Sequence, residues 1–147
     1  MSTHTNKKNI STNPTDLVAN GSDKSDKSDE LAMYIILNND LHMGKGKLVS
    51  QGSHVVSKIT RNLEKMCNDK PKSDQVTKYK KWLKNGEAKI VLKATTLQLE
   101  ELLKLPESEY IIDAGRTQIA ENSLTAVGFY PNTKTTMGKI LGNYSLL

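Results

Sequence analysis

The chain is poor in the residues that staple, ligate or span. A single cysteine, Cys67, among 147 residues excludes an internal disulfide and favours a reducing compartment. Its place near the end of an expected helix suits a packed or idle thiol better than a nucleophile. No apolar run approaches the roughly 18 residues of a membrane span. The first residues lack the hydrophobic segment of a secretory leader, and their acidic content and lack of arginine argue against a mitochondrial one. Three scattered histidines, His4, His42 and His54, give no zinc-ligand spacing. There is no G-x-S-x-G elbow for a serine nucleophile. There is no P-loop either, because Leu48 follows Lys47 where a metal-binding hydroxyl would stand. What these absences leave is a soluble protein expected in the cytoplasm.

Charge divides the chain in two. Residues 1–31 hold four Lys and five acidic residues, a balance of −1, whereas Ala32 onward carries +6. The first stretch is Ser, Thr, Asn, Asp and Lys, with a near-repeat over Ser22–Asp29, and it cannot bury enough surface to offset its conformational entropy. It is therefore expected to be a disordered tail on one α/β domain over 32–147. The basic excess of the domain suits a polyanionic partner, or simply a solvated lysine-rich surface.

Within the domain, Ala32–Leu37 is a continuous apolar run, as in a strand covered on both faces. From Leu48, the residues Val49, Val55, Val56, Ile59, Leu63 and Met66 recur at helical spacing. Asp74–Asn85 reads as a second helix, capped by Ser73 or Asp74 and closed by Gly86. Lys89–Lys93 is a strand, Thr96–Leu105 a helix ending before Pro106, Tyr110–Ile112 and Leu124–Tyr130 two further strands, and Thr133–Leu141 a last helix. The order βααβαββα predicts a mixed four-stranded sheet flanked by helices.

Two segments concentrate the chemistry. Gly44-Lys45-Gly46-Lys47 follows the first strand, and glycines beside a helix start let backbone N–H groups approach an anion. The same four residues could equally be a tight turn with solvated lysines. Asp113-Ala114-Gly115-Arg116-Thr117 follows the third strand and offers a carboxylate, a guanidinium and a hydroxyl. It reads either as an ion pair with a turn cap or as half of a site, the latter only if Asp113 and Lys47 share one cleft. His54, on the first helix, is expected as a hydrogen-bonded residue of the apolar face.

With Gln51, Ser53-His54, Trp82 and Gly86, the Lys89–Lys93 strand, Asp113–Ile119, and Thr125, Gly128 and Pro131, these segments resemble the type 2 peptidyl-tRNA hydrolases from about Met33 to Leu147. The resemblance implies cleavage of the ester between a peptide and the 3′-terminal ribose of tRNA. It implies Lys47, Asp113 and Thr117 as catalytic residues, and Lys45, Arg116, His54, Gln51, Gly44 and Gly46 at the tRNA end. No metal or organic cofactor is implied, and a homodimer would fit. A rival reading is a tRNA- or RNA-binding module of the same fold without turnover, and a third is an adaptor that uses its tail. Departures from the family are a short Pro106–Glu109 connection, Gly52 where Ala, Val or Cys is usual, and Glu121-Asn122 where Pro-Gly is common.

Overall fold

A computed structural model describes residues 30–115 and 119–147. The expected tail lies outside these residues except for its last two, and the first strand takes up Leu31. This strand, β1 (Leu31–Asn38), is buried along its whole length. Its side chains alternate between two cores. Met33, Ile35 and Leu37 face α1 (Lys45–Asp69) and α2 (Asp74–Lys84), while Ala32, Tyr34 and Ile36 join the core beneath α3 (Thr96–Leu102) and α4 (Lys134–Leu141). A strand wetted on neither face has no polar position to offer, which explains the unbroken apolar run.

The sheet order is β3-β4-β1-β2-β5, with β2 (Lys89–Ala94) parallel to β1. Both β3 (Ser108–Ile112) and β1 run antiparallel to β4 (Leu124–Thr133). The carboxyl ends of β1, β2 and β3 therefore lie along one edge, together with the start of α1. The mixed sheet expected from sequence is present, with one addition: β5 (Ser145–Leu146) pairs with Leu92 and Lys93 at the outer edge. Two residues after a helix carry no periodicity, so this strand has no sequence signal. Pro131 lacks a donor for the ladder, and the pairing of β4 with β1 shifts register across this stretch, between Ala32 and Tyr34.

Local chemistry explains the element ends. The Ser73 hydroxyl, not Asp74, caps α2 by accepting from the Val76 N–H at 3.3 Å. Thr95 and Gln98 form a reciprocal capping box on α3. Gly86 closes α2 at φ +91°, a backbone shape that costs glycine little. The short Pro106–Glu109 connection leaves the β3 edge well held. Glu107 accepts from Gln75 Nε2 at 2.8 Å, and its carbonyl accepts from the Tyr130 N–H.

Helix α1 buries Gln51, Val55, Ile59 and Leu63 at four-residue spacing. Its contact with β4 is close, because a Cβ added at Gly128 would lie 2.8 Å from Ile59 Cδ1 and 2.9 Å from Val55 Cγ2. Gly128→Ala should therefore push α1 off the sheet and lower stability by about 1–3 kcal/mol, measured by chemical denaturation. An unchanged midpoint would show that the helix shifts freely.

Candidate active site

The Gly/Lys segment is not a turn before the helix but the helix itself. Gly44 is the N-cap of α1, and Lys45, Gly46 and Lys47 form its first turn. No acidic residue stands in that turn, so the positive end of the helix and two lysines act together. Lys45 and Gly46 are exposed, and the space where a Gly46 side chain would project is open.

Lys47 reaches across to the end of β3, where its Nζ lies 2.5 Å from Asp113 Oδ1. Both side chains are only 11% exposed, so the pair is sheltered but reachable. The condition set by the sequence reading, one cleft for two residues 66 positions apart, is met. Asp113 is held from three further directions. Its Oδ2 accepts from the Gly115 N–H at 2.9 Å, its own N–H donates to the Ser123 carbonyl, and its carbonyl accepts from Asn122 N–H. Gly115 is required at this turn, since φ is +72° and a Cβ would sit 2.6 Å from Glu121 Cα. The Lys47 hydrogen bond holds the Asp113 carboxyl below its ordinary pKa. Partial burial opposes that shift, whereas the Gly115 N–H and the charges of Lys47 and His54 reinforce it.

Other site residues fall differently. Arg116 and Thr117 lie outside the described residues. His54 is exposed rather than part of the apolar face, with its Nε2 3.4 Å from Ser50 Oγ. One residue of helix turns the chain by about 100°, which carries position 54 off the Gln51-Val55-Ile59 stripe and towards Asp113. Val49 is likewise off the stripe and 70% exposed. Gln51 is buried, and its Oε1 accepts from the Thr125 hydroxyl at 2.6 Å, so it braces α1 against β4 from beneath.

The sequence reading missed Asn38, which is 1% exposed at the end of β1. Its Nδ2 donates to Thr96 Oγ1 and to the Leu124 carbonyl, and its Oδ1 accepts from the Asp40 N–H. Asp40 Oδ2 in turn accepts from the Thr96 N–H at 2.8 Å. This network ties the ends of β1 and β2 to the start of β4 beside Asp113. An amide closing an otherwise apolar run was the available signal. No three His, Cys, Asp or Glu side chains gather at metal-holding distance among the described residues. No helix among them is long and apolar enough to cross a membrane.

Fold and site together define an α/β protein with a sheltered Lys–Asp pair at its strand ends, beside a positively charged helix terminus. Residues 31–147 match the family described as peptidyl-tRNA hydrolase PTH2. A peptidyl-tRNA hydrolase of Methanocaldococcus jannaschii is 33% identical over 123 residues, covering 80% of this chain and all of the relative. Those of Methanococcus vannielii and Methanococcus maripaludis are 36% and 35% identical over 120 residues, each covering 77% of this chain and 96% of the relative. The chain belongs to the peptidyl-tRNA hydrolase PTH2 family, and is an enzyme of that activity.

The depressed Asp113 pKa fixes a sign. The Lys47–Asp113 pair contributes stability that is full above the unfolded carboxyl pKa of about 3.9 and is lost as pH falls through the lower folded value. Asp113→Asn should flatten that part of the stability–pH curve, read as denaturation midpoints between neutral and strongly acid pH. Parallel curves for the two proteins would refute the assignment.

Proposed function

We propose that Lys47 and Asp113 are the catalytic pair for hydrolysis of the ester joining a peptide to the 3′-terminal ribose of tRNA. The observation that carries this reading is the sheltered 2.5 Å contact between them. Ester hydrolysis needs an oriented water, a stabilised oxyanion and a proton for the departing ribose oxygen. Asp113 orients the water or takes its proton, and Thr117 fixes that water by hydrogen bonding. Lys47 stabilises the oxyanion. A carboxylate held below its usual pKa is a weak base, so positioning contributes more than proton abstraction. Water's oxygen bonds to the ester carbon, the carbon–ribose oxygen bond breaks, and the water's protons leave on the ribose hydroxyl and to solvent.

Lys45, Arg116, His54 and the N–H groups of the Gly44–Gly46 turn hold the phosphates and sugar of the tRNA end. Gln51 acts from below by keeping α1 in place. A homodimer at work in the cytoplasm completes the reading and rests on the family likeness. Sedimentation of the full chain over a range of concentrations tests the first part.

Release of peptide from purified peptidyl-tRNA in EDTA should proceed with wild type. It should fall by about 100-fold or more in Asp113→Asn and in Lys47→Ala, with both variants folded. Near-normal turnover in either variant would dismiss the pair. A folded wild type that binds tRNA without releasing peptide would favour the binding module.

A further inference from the structure

Among the described residues, a sizeable apolar groove lies away from the Lys47–Asp113 pair. It encloses about 670 Å³ on the other side of α1, between that helix and the β1–β2–β5 part of the sheet. Leu37, Leu48, Val49, Val56 and Val91 line it, with Leu146 and Leu147 at the outer wall. Its size is that of a ligand cleft, and its lining is overwhelmingly apolar. Val49, Leu146 and Leu147 are 70%, 69% and 53% exposed, so the patch stands open to solvent. Isolated exposed apolar residues need no explanation, but a contiguous groove of them does.

Two features relate this groove to the reaction. Leu48 and Val49 follow Lys47 directly, so the groove begins at the first turn of α1, where the pair also sits. The path between them crosses the helix terminus at Gly44–Gly46, where the space above Gly46 is open. A helix is about 10 Å across, a distance that roughly three extended peptide residues cover at about 3.4 Å each. Gly52 forms part of the groove wall, and a Cβ there would meet only Ile35 Cγ2, at 3.9 Å.

We propose that this groove binds apolar side chains of the peptide, beginning about four residues from the ester. The inference rests on the hydrolase reading and adds where the peptide half of the substrate lies. A peptide esterified at the Lys47–Asp113 pair and led over Gly46 arrives at Leu48 and Val49. There, burying one Leu or Phe side chain is favourable, though ordering the peptide consumes part of the gain. Shorter peptides end before the groove and gain nothing from it. Selection is therefore by length and hydrophobicity rather than by sequence.

The test compares kcat/KM for N-blocked peptidyl-tRNAs carrying two residues, six residues rich in Leu and Phe, or six residues of Gly and Ser. Wild type should favour the apolar six-residue substrate over the other two by about 10-fold, the equivalent of 1.4 kcal/mol. Gly52→Leu fills the groove while improving helix propensity, and Leu146→Ser makes its outer wall polar. Both should bring that ratio close to one. A wild type that turns over all three substrates equally, or a preference that survives both variants, overturns the groove alone. Self-association abolished by Gly52→Leu with the preference intact would assign the surface to a second copy instead, and would also overturn the proposal. A wild type that releases none of the three peptides overturns the hydrolase reading beneath it.

Discussion

Helix α1 touches the sheet at Gly128, where Val55 and Ile59 occupy the space that any side chain would need. That contact sets the depth of the helix, and Gln51 bonded to Thr125 keeps it from sliding along the strand. Lys47 lies one turn above Gln51, so its reach to Asp113 is inherited from this packing. An ammonium on a four-carbon stem is flexible, and a fixed root narrows its reach, here to the Asp113 carboxylate. The apolar core and the charged pair are thus parts of one arrangement. Disturbing β4 beneath the helix moves the site above it.

The electrostatics of the edge follow from how few carboxylates it contains. Asp113 and Lys47 neutralise each other, while Lys45 and the positive end of α1 remain to attract an anion. Further along α1, Lys58 is drawn away to Glu109 and lies 4.6 Å from the Tyr110 ring centre. It therefore braces the β3 edge. The basic excess read from composition accordingly divides into lysines with structural work and lysines left facing the substrate end.

Much of this was legible in the sequence, for reasons that differ by element. β1 announced itself because burial on both faces removes every polar residue. The capping and closing of α2 were visible in Ser73 and Gly86. Asp113 and Lys47 stood out as charges beside glycines at strand ends. Other features depend on three-dimensional context. The start of α1 was set too late because Gly44-Lys45-Gly46 has poor helix propensity, which the tertiary position of the helix overrides. His54 was assigned to the wrong face because one position along a helix separates core from solvent. β5 forms only because β2 presents an unpaired edge. Asn38 was passed over because two of its three partners, Thr96 and Leu124, are distant in sequence, and the third, the Asp40 N–H, is an ordinary local turn contact.

The sole tryptophan, Trp82, donates its indole N–H to the Ala88 carbonyl, lies near Tyr79 and has Lys89 Nζ 4.9 Å from its ring centre. It sits where α2 hands the chain to the beginning of β2, at the edge of the sheet opposite the Lys47–Asp113 pair. Its emission is therefore a built-in gauge of whether α2 is seated on the sheet. Because Lys89 also lines the groove beside α1, the indole stands next to that groove as well. Intrinsic fluorescence thus follows the seating of α2 and the state of the groove rather than the chemistry at Lys47 and Asp113.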